Sequence, residues 1–206
     1  MVDPISFIFA IAVLIMSIVA HEVMHGYAAE RLGDPTARLA GRLTLNPLAH
    51  LDMVGSFIIP LATYFLGGFI FGWAKPVPYN PYNMRNPRWG GAIVAAAGPL
   101  TNVALALIFG LLIRFMPALG LPAEILPIAE LIVFLNLLLA LFNFIPVPPL
   151  DGSKILFAFL PHHFSYIQEF LERYSFIILI FLIIFLFRFL LPIIYFLFDL
   201  ITGFGL

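Results

Sequence analysis

Long stretches without a charged side chain alternate with short polar connections along this chain. They run from Ile5 to Ala20, Met53 to Ala74, Trp89 to Ile113, Leu131 to Leu150, and Tyr174 to Phe187, the last continuing past Arg188 to Phe198. Bilayer-crossing strands alternate strictly over about ten residues, whereas these runs are unbroken and of helical length, so helices are expected. The third and last are long enough to span with tilt, and the first becomes so if its helix continues to about Ala29. The second carries Pro60 and the pair Gly67 and Gly68, which interrupt a helix. Between Gly72 and Trp89, "GWAKPVPYNPYNMRNPRW" holds four prolines and predicts an extended hairpin or edge strand near the membrane interface. After Gly152, "SKILFAFL" predicts a short amphipathic helix followed by a polar link up to Tyr174.

Composition turns this pattern into a membrane assignment. Of 206 residues, 63% are hydrophobic and 10% charged, with mean hydropathy +1.08, more apolar surface than one soluble core of this size can bury. Every backbone polar group in hydrocarbon needs an internal partner, so the expected fold class is an all-α polytopic membrane protein. The polar gaps are shorter than about 35 residues, below domain size, which makes residues 1–206 a single membrane-embedded domain. Ten basic against eleven acidic residues argue against a nucleic-acid partner. There is no cysteine, hence no disulfide and no thiolate ligand. The first run has no basic stretch before it and is followed by histidines, so it is expected to be retained rather than removed as a signal peptide.

Chemistry enters with "AHEVMHG", Ala20 to Gly26, at the end of the first run. On a helix, His21 and His25 lie about 40° apart on one face, with Glu22 about 60° from His25. Two neutral imidazoles can share one zinc ion while the glutamate reaches its open side as general base, the mechanics of H-E-x-x-H. The spacing alone is compatible with histidines at a lipid interface, but burying two histidines and a carboxylate in an apolar span is costly for a structural role. A catalytic zinc needs a third protein ligand. Asp151 is the best candidate, because Pro146, Pro148 and Pro149 in "NFIPVPPLDG" prevent a regular helix and leave backbone that must line a cavity. An ordinary interfacial turn remains open for that stretch.

With these motifs in hand, the chain resembles the site-2 protease family, zinc metalloproteases that cut within or beside transmembrane helices. The resemblance rests on "HEVMH" at 21–25, "GPLTN" at 98–102 and "NFIPVPPLDG" at 143–152, in the family's order, and extends over about residues 5–160. "GWAKPVPYNP" followed by "RNPRWGG" is similar to the small prokaryotic members without PDZ or CBS domains. It implies a peptidase core over about 5–160 and a C-terminal transmembrane helix over about 174–199. It further implies one zinc per chain on His21, His25 and Asp151, with Glu22 as base. Asn102 and Asn143 are then expected near the site as donors to the substrate or its oxyanion. Gly72, Trp73, Ala74, Lys75, Pro76 and Val77 are expected to form an edge strand that pairs with substrate. The implied activity is endopeptidase cleavage of transmembrane protein substrates in the lipid bilayer of a prokaryotic plasma membrane. No feature of the sequence fixes the oligomeric state.

Depth constrains topology independently. His21 lies about 24 Å along a helix begun at Ile5, near the far face of a core about 30 Å thick. Asp151 reaches that face if the second hydrophobic segment re-enters and returns, leaving four full spans. Eight of the ten basic residues (Arg31, Arg38, Arg42, Lys75, Arg85, Arg88, Lys154, Arg173) then share it, with Arg114 opposite, which makes that face cytoplasmic and places both termini outside. A full second span, with ligands brought together by broken or tilted helices, is the alternative. His50 and Asp52 are expected as an interfacial anchor, His162 and His163 as solvated loop residues. Arg188 is expected to snorkel, pair with another helix or mark self-association. Two other functional classes remain: a metal transporter using His21, Glu22, His25 and Asp151 in transit, which would need further ligands in the other spans, and a catalytically silent scaffold.

Overall fold

The computed structural model describes residues 4–52, 54–59, 62, 65 and 75–203. Its helices are α1 (Pro4–Arg31), α2 (Thr36–Leu39), α3 (Pro87–Leu119), α4 (Leu126–Asn143), α5 (Asp151–Phe159), α6 (Ser165–Arg173) and α7 (Ser175–Thr202). Among the described residues, three stretches are long and apolar enough to cross a membrane: Phe7–Arg31, Pro87–Leu119 and Ala123–Asn143. The last helix adds a fourth if its two halves, Ser175–Ile183 and Arg188–Thr202, bent by 62°, count as one span. Pro192 accounts for the position of the bend, since its ring displaces the carbonyl of Arg188, four residues earlier. Arg188 therefore sits at a break and is exposed, rather than inside an unbroken span. The polar link expected after "SKILFAFL" folds in part into α6, whose "SYIQEFLER" is amphipathic.

Sequence sets the helix ends. Asn86 caps α3, its side chain accepting from the Trp89 amide at 3.2 Å, with Pro87 at the first helical position. Gly120 closes the same helix in the left-handed conformation, φ 63°. Between α3, α4 and α7 lies the main core, with Ala106, Ile113, Ala129, Val133, Leu137, Leu190, Ile194 and Phe198 buried. The outward faces stay apolar: Phe7, Ile8, Ile93, Ile108, Phe115, Phe176 and Phe181 are exposed, as expected where lipid rather than water is the solvent.

Two expectations fall largely outside the described residues. Of the second hydrophobic segment, Val54–Ile58 forms a π-helical turn. Gly72, Trp73 and Ala74 of the expected edge strand are outside. No strand occurs among the described residues, and Lys75, Pro76 and Val77 run without strand pairing. The Lys75 amide donates to the His50 carbonyl at 2.8 Å, so the chain returns after residue 74 to the point it left at residue 50. His50 is buried, its Nε2 2.9 Å from the Thr44 carbonyl.

Candidate metal centre

α1 carries His21, Glu22 and His25 near its C-terminal end, where α3 crosses it. Gly98 makes that approach possible: a Cβ there would meet His21 Nε2 and His25 Nε2 at 2.5 Å. The rings stand 4.6 Å apart and nearly perpendicular, at 88°.

Each ring is fixed by what its Nδ1 meets. His25 Nδ1 lies 2.6 Å from the Val94 carbonyl, an acceptor only, so Nδ1 carries the proton. His21 Nδ1 lies 2.6 Å from Asn102 Oδ1. A chain of bonds behind it sets that amide's orientation. Asn136 Nδ2 donates to the Ile132 carbonyl at 2.8 Å and to Ser17 Oγ at 2.9 Å, and its Oδ1 accepts from Asn102 Nδ2 at 2.8 Å. Asn102 Oδ1 is left for His21, whose Nδ1 is therefore also the donor. Both Nε2 lone pairs consequently point forward.

They converge on Asp151. Its Oδ2 lies 3.1 Å from Nε2 of His21 and 3.1 Å from Nε2 of His25. Asp151 opens α5, where the helix dipole favours an anion. Gly152 lets the chain fold back so tightly that a Cβ there would meet the Phe144 carbonyl oxygen, and that of Ile145 at 2.5 Å. The turn before it contains the cis bond Pro148–Pro149.

Three buried acceptors facing one point repel one another unless a cation lies between them. Ligands at about 2.0–2.2 Å in tetrahedral geometry stand about 3.3–3.5 Å apart, close to the separations found. The donor set, two imidazoles and a carboxylate with each imidazole held from behind, therefore fits zinc. Glu22 joins them, with ligand atoms of His21, Glu22 and His25 all within 4.8 Å of one another. Its Oε2 accepts from the Val77 amide at 2.9 Å.

The residues expected around this centre divide. Asn102 is fully buried behind His21, with Nδ2 committed to Asn136 and, at 3.4 Å, to the Ser17 carbonyl, so it offers substrate no free amide hydrogen. Asn143, half-buried, donates to the Leu139 carbonyl of its own helix at 2.9 Å. Lys75–Val77 do reach the site, tethered by the Lys75–His50 bond, by Arg42 Nη2 on the Lys75 carbonyl at 2.6 Å and by Val77 on Glu22. Asp34 anchors the far end of this strap, accepting from the Asn80 amide at 2.6 Å, Asn83 Nδ2 at 2.7 Å and Thr36 Oγ1 at 2.5 Å. Gly26 admits the strap against α1, since a Cβ would meet Val77 Cγ1 at 2.9 Å.

Sequence reading missed Ser17, Asn136, Asp34 and Lys154. Asn136 and Ser17 were visible as polar residues within apolar runs, at helical spacing from functional ones, a signal for interhelical bonding.

The family profile described as Peptidase family M50 matches residues 9–126 and 120–186. "Putative zinc metalloprotease YwhC" of Bacillus subtilis (strain 168) is 38% identical over 185 residues, covering 86% of this chain and 80% of that protein. "Putative zinc metalloprotease MJ0611" of Methanocaldococcus jannaschii is 35% identical over 159 residues, 72% of each chain. "Putative zinc metalloprotease Rip2" of Mycolicibacterium smegmatis is 33% identical over 153 residues, 73% of this chain and 56% of that one. No solved structure matches.

Proposed function

The chain belongs to peptidase family M50, a zinc metalloprotease family, and from that premise we propose that it is an intramembrane endopeptidase of the site-2 type, hydrolysing peptide bonds in or beside transmembrane segments of protein substrates. The observation that carries this reading is the convergence of His21 Nε2, His25 Nε2 and Asp151 Oδ2, 3.1 Å from imidazole to carboxylate, among helices apolar enough to span a membrane.

His21, His25 and Asp151 hold the metal, with Asn102 and the Val94 carbonyl orienting the two rings. Zinc, when bound there, supplies Lewis acidity that acidifies water and polarises a peptide carbonyl. Glu22 accepts the proton from the attacking water and returns it to the leaving amine. Its bond to the Val77 amide aims one oxygen and leaves the other free. Surrounding helices exclude bulk water, which strengthens each of these electrostatic contacts.

The second hydrophobic segment is re-entrant in this reading. Support comes from the 2.8 Å bond joining Lys75 to His50, since a segment whose ends meet returns to the face it left. Arg114 Nη1 donates to the Leu200 carbonyl at 3.0 Å, which puts the end of α7 beside the end of α3, away from the metal centre. With the basic residues concentrated on the metal-centre side, that side is cytoplasmic, the termini lie outside, and the membrane is a prokaryotic plasma membrane. The chain is then one peptidase domain, core 5–160 with α7 attached.

Purified protein in proteoliposomes with a single-pass substrate tests the activity. Wild type cleaves and Glu22→Gln does not; cleavage persisting in Glu22→Gln rules the mechanism out. Cysteine labelling at Lys75 and Arg114 tests the topology, with opposite faces expected.

A further inference from the structure

Lys75 to Pro78 present no free backbone N–H. The amide of Lys75 is bonded to His50 and that of Val77 to Glu22, while Pro76 and Pro78 have none. A peptide laid along this strap finds acceptors but no amide donor, so its own carbonyls need donors from across the site. A cavity of about 910 Å³ opens there, lined by Pro76 and Tyr79 on one wall and by Pro148, Pro149 and Lys154 on the other.

Two cations line it, and they differ. Arg88 is committed to α5, donating from Nε to the Ala158 carbonyl at 2.7 Å and from Nη2 to the Leu160 carbonyl at 2.6 Å. Lys154 is not. One N–H of its ammonium meets Asp151 Oδ1 at 3.3 Å, the Tyr79 ring lies 5.6 Å away, and its side chain is 42% exposed. An ammonium has three donors, so two remain for an occupant of the cavity that Lys154 lines. Asp151 has Oδ2 toward the histidines and Oδ1 toward Lys154, which leaves a single carboxylate between the ammonium and the metal position.

Resting on the peptidase reading above, we infer that Lys154 is a catalytic residue, donating a hydrogen bond to the scissile carbonyl oxygen. As the water oxygen bonds to the carbonyl carbon, its proton passes to Glu22 and the carbonyl π pair becomes an oxyanion. Lys154 binds that charge more tightly than the neutral carbonyl, so its contribution falls on the chemical step. Collapse then breaks the C–N bond, with the proton going from Glu22 to the amine. The strap carbonyls of Val77 and Pro78 accept the peptide's amides on the other side.

The test is steady-state kinetics, zinc content and affinity for a phosphinic peptide, whose P–O⁻ imitates the tetrahedral oxyanion, for wild type, Lys154→Met and Lys154→Arg. In Lys154→Met, kcat falls by about 100-fold, the scale for losing one oxyanion donor, with KM and zinc content unchanged and phosphinic-peptide affinity falling in step. Lys154→Arg recovers most of both. A Lys154→Met enzyme with wild-type kcat overturns the inference, and so does a loss of kcat that tracks a loss of zinc, which makes Lys154 a support for Asp151. If wild type itself does not cleave, the peptidase reading fails; cleavage by wild type with either contrary Lys154 result removes this inference alone.

Discussion

The two walls of the site are built to opposite specifications. On the metal wall, where α1, α3 and the start of α5 meet, every reactive atom is determined twice: each imidazole has a partner behind it, and a glycine permits each close approach. On the cavity wall, Lys75 to Asn80 is tied at its ends and at Val77, faces the cavity with proline, and leaves carbonyls unspent. A metal centre must hold ligands to within tenths of an ångström, whereas a peptide channel must keep groups in reserve for its occupant. The contrast predicts that damage to the first wall removes zinc, and damage to the second changes substrate handling or stability while zinc stays.

The largest expected effect is on the metal wall. Gly98→Ala drives a methyl group into both imidazoles, and cleavage falls at least about 100-fold with zinc loss, as a displacement of about 1 Å can cost that much in rate; metal analysis beside activity checks it. Next, Asn102→Leu frees the His21 ring and lowers zinc affinity about 10- to 100-fold, the usual consequence of removing a partner behind a ligand, read by chelator competition. On the cavity wall, Asp34→Ala takes the shared acceptor from the partly buried donors of Thr36, Asn80 and Asn83 and destabilises by about 1–3 kcal/mol, measured by thermal unfolding in detergent, with zinc stoichiometry unchanged. The same carboxylate gives a pH signature. Burial opposes its charge, but bonds from Thr36, Asn80 and Asn83 outweigh that and lower its pKa. Its stabilisation is thus full above the unfolded value of about 3.9 and is lost as pH falls through the lower folded value; Asp34→Asn flattens that acid limb. The smallest effect is Arg42→Met, which removes the donor to the Lys75 carbonyl and raises KM a few-fold without changing zinc content.

Legibility in the sequence divides along the same line. His21, Glu22 and His25 could be read directly because helical periodicity alone brings them together. Asp151 lies 130 residues from His21 and came from its setting and from resemblance, since no local pattern joins them. The apolar runs located α1, α3 and α4, with ends off by up to seven residues at α4, but not the bend at Arg188, which hydrophobicity does not register and Pro192 does. Least visible was the strap. Its bonds to His50, Arg42, Glu22 and Asp34 involve backbone amides and carbonyls, which carry no residue identity, and Asn102 was legible as a polar residue but not in its direction, which the buried bond to Asn136 sets.

Zinc stoichiometry across three variants tests the central claim most directly. If His21, His25 and Asp151 hold the metal and Glu22 moves protons, wild type and Glu22→Gln each carry a single zinc, while His21→Ala and Asp151→Ala carry none. A full complement of zinc in Asp151→Ala, or its loss in Glu22→Gln, would contradict this account.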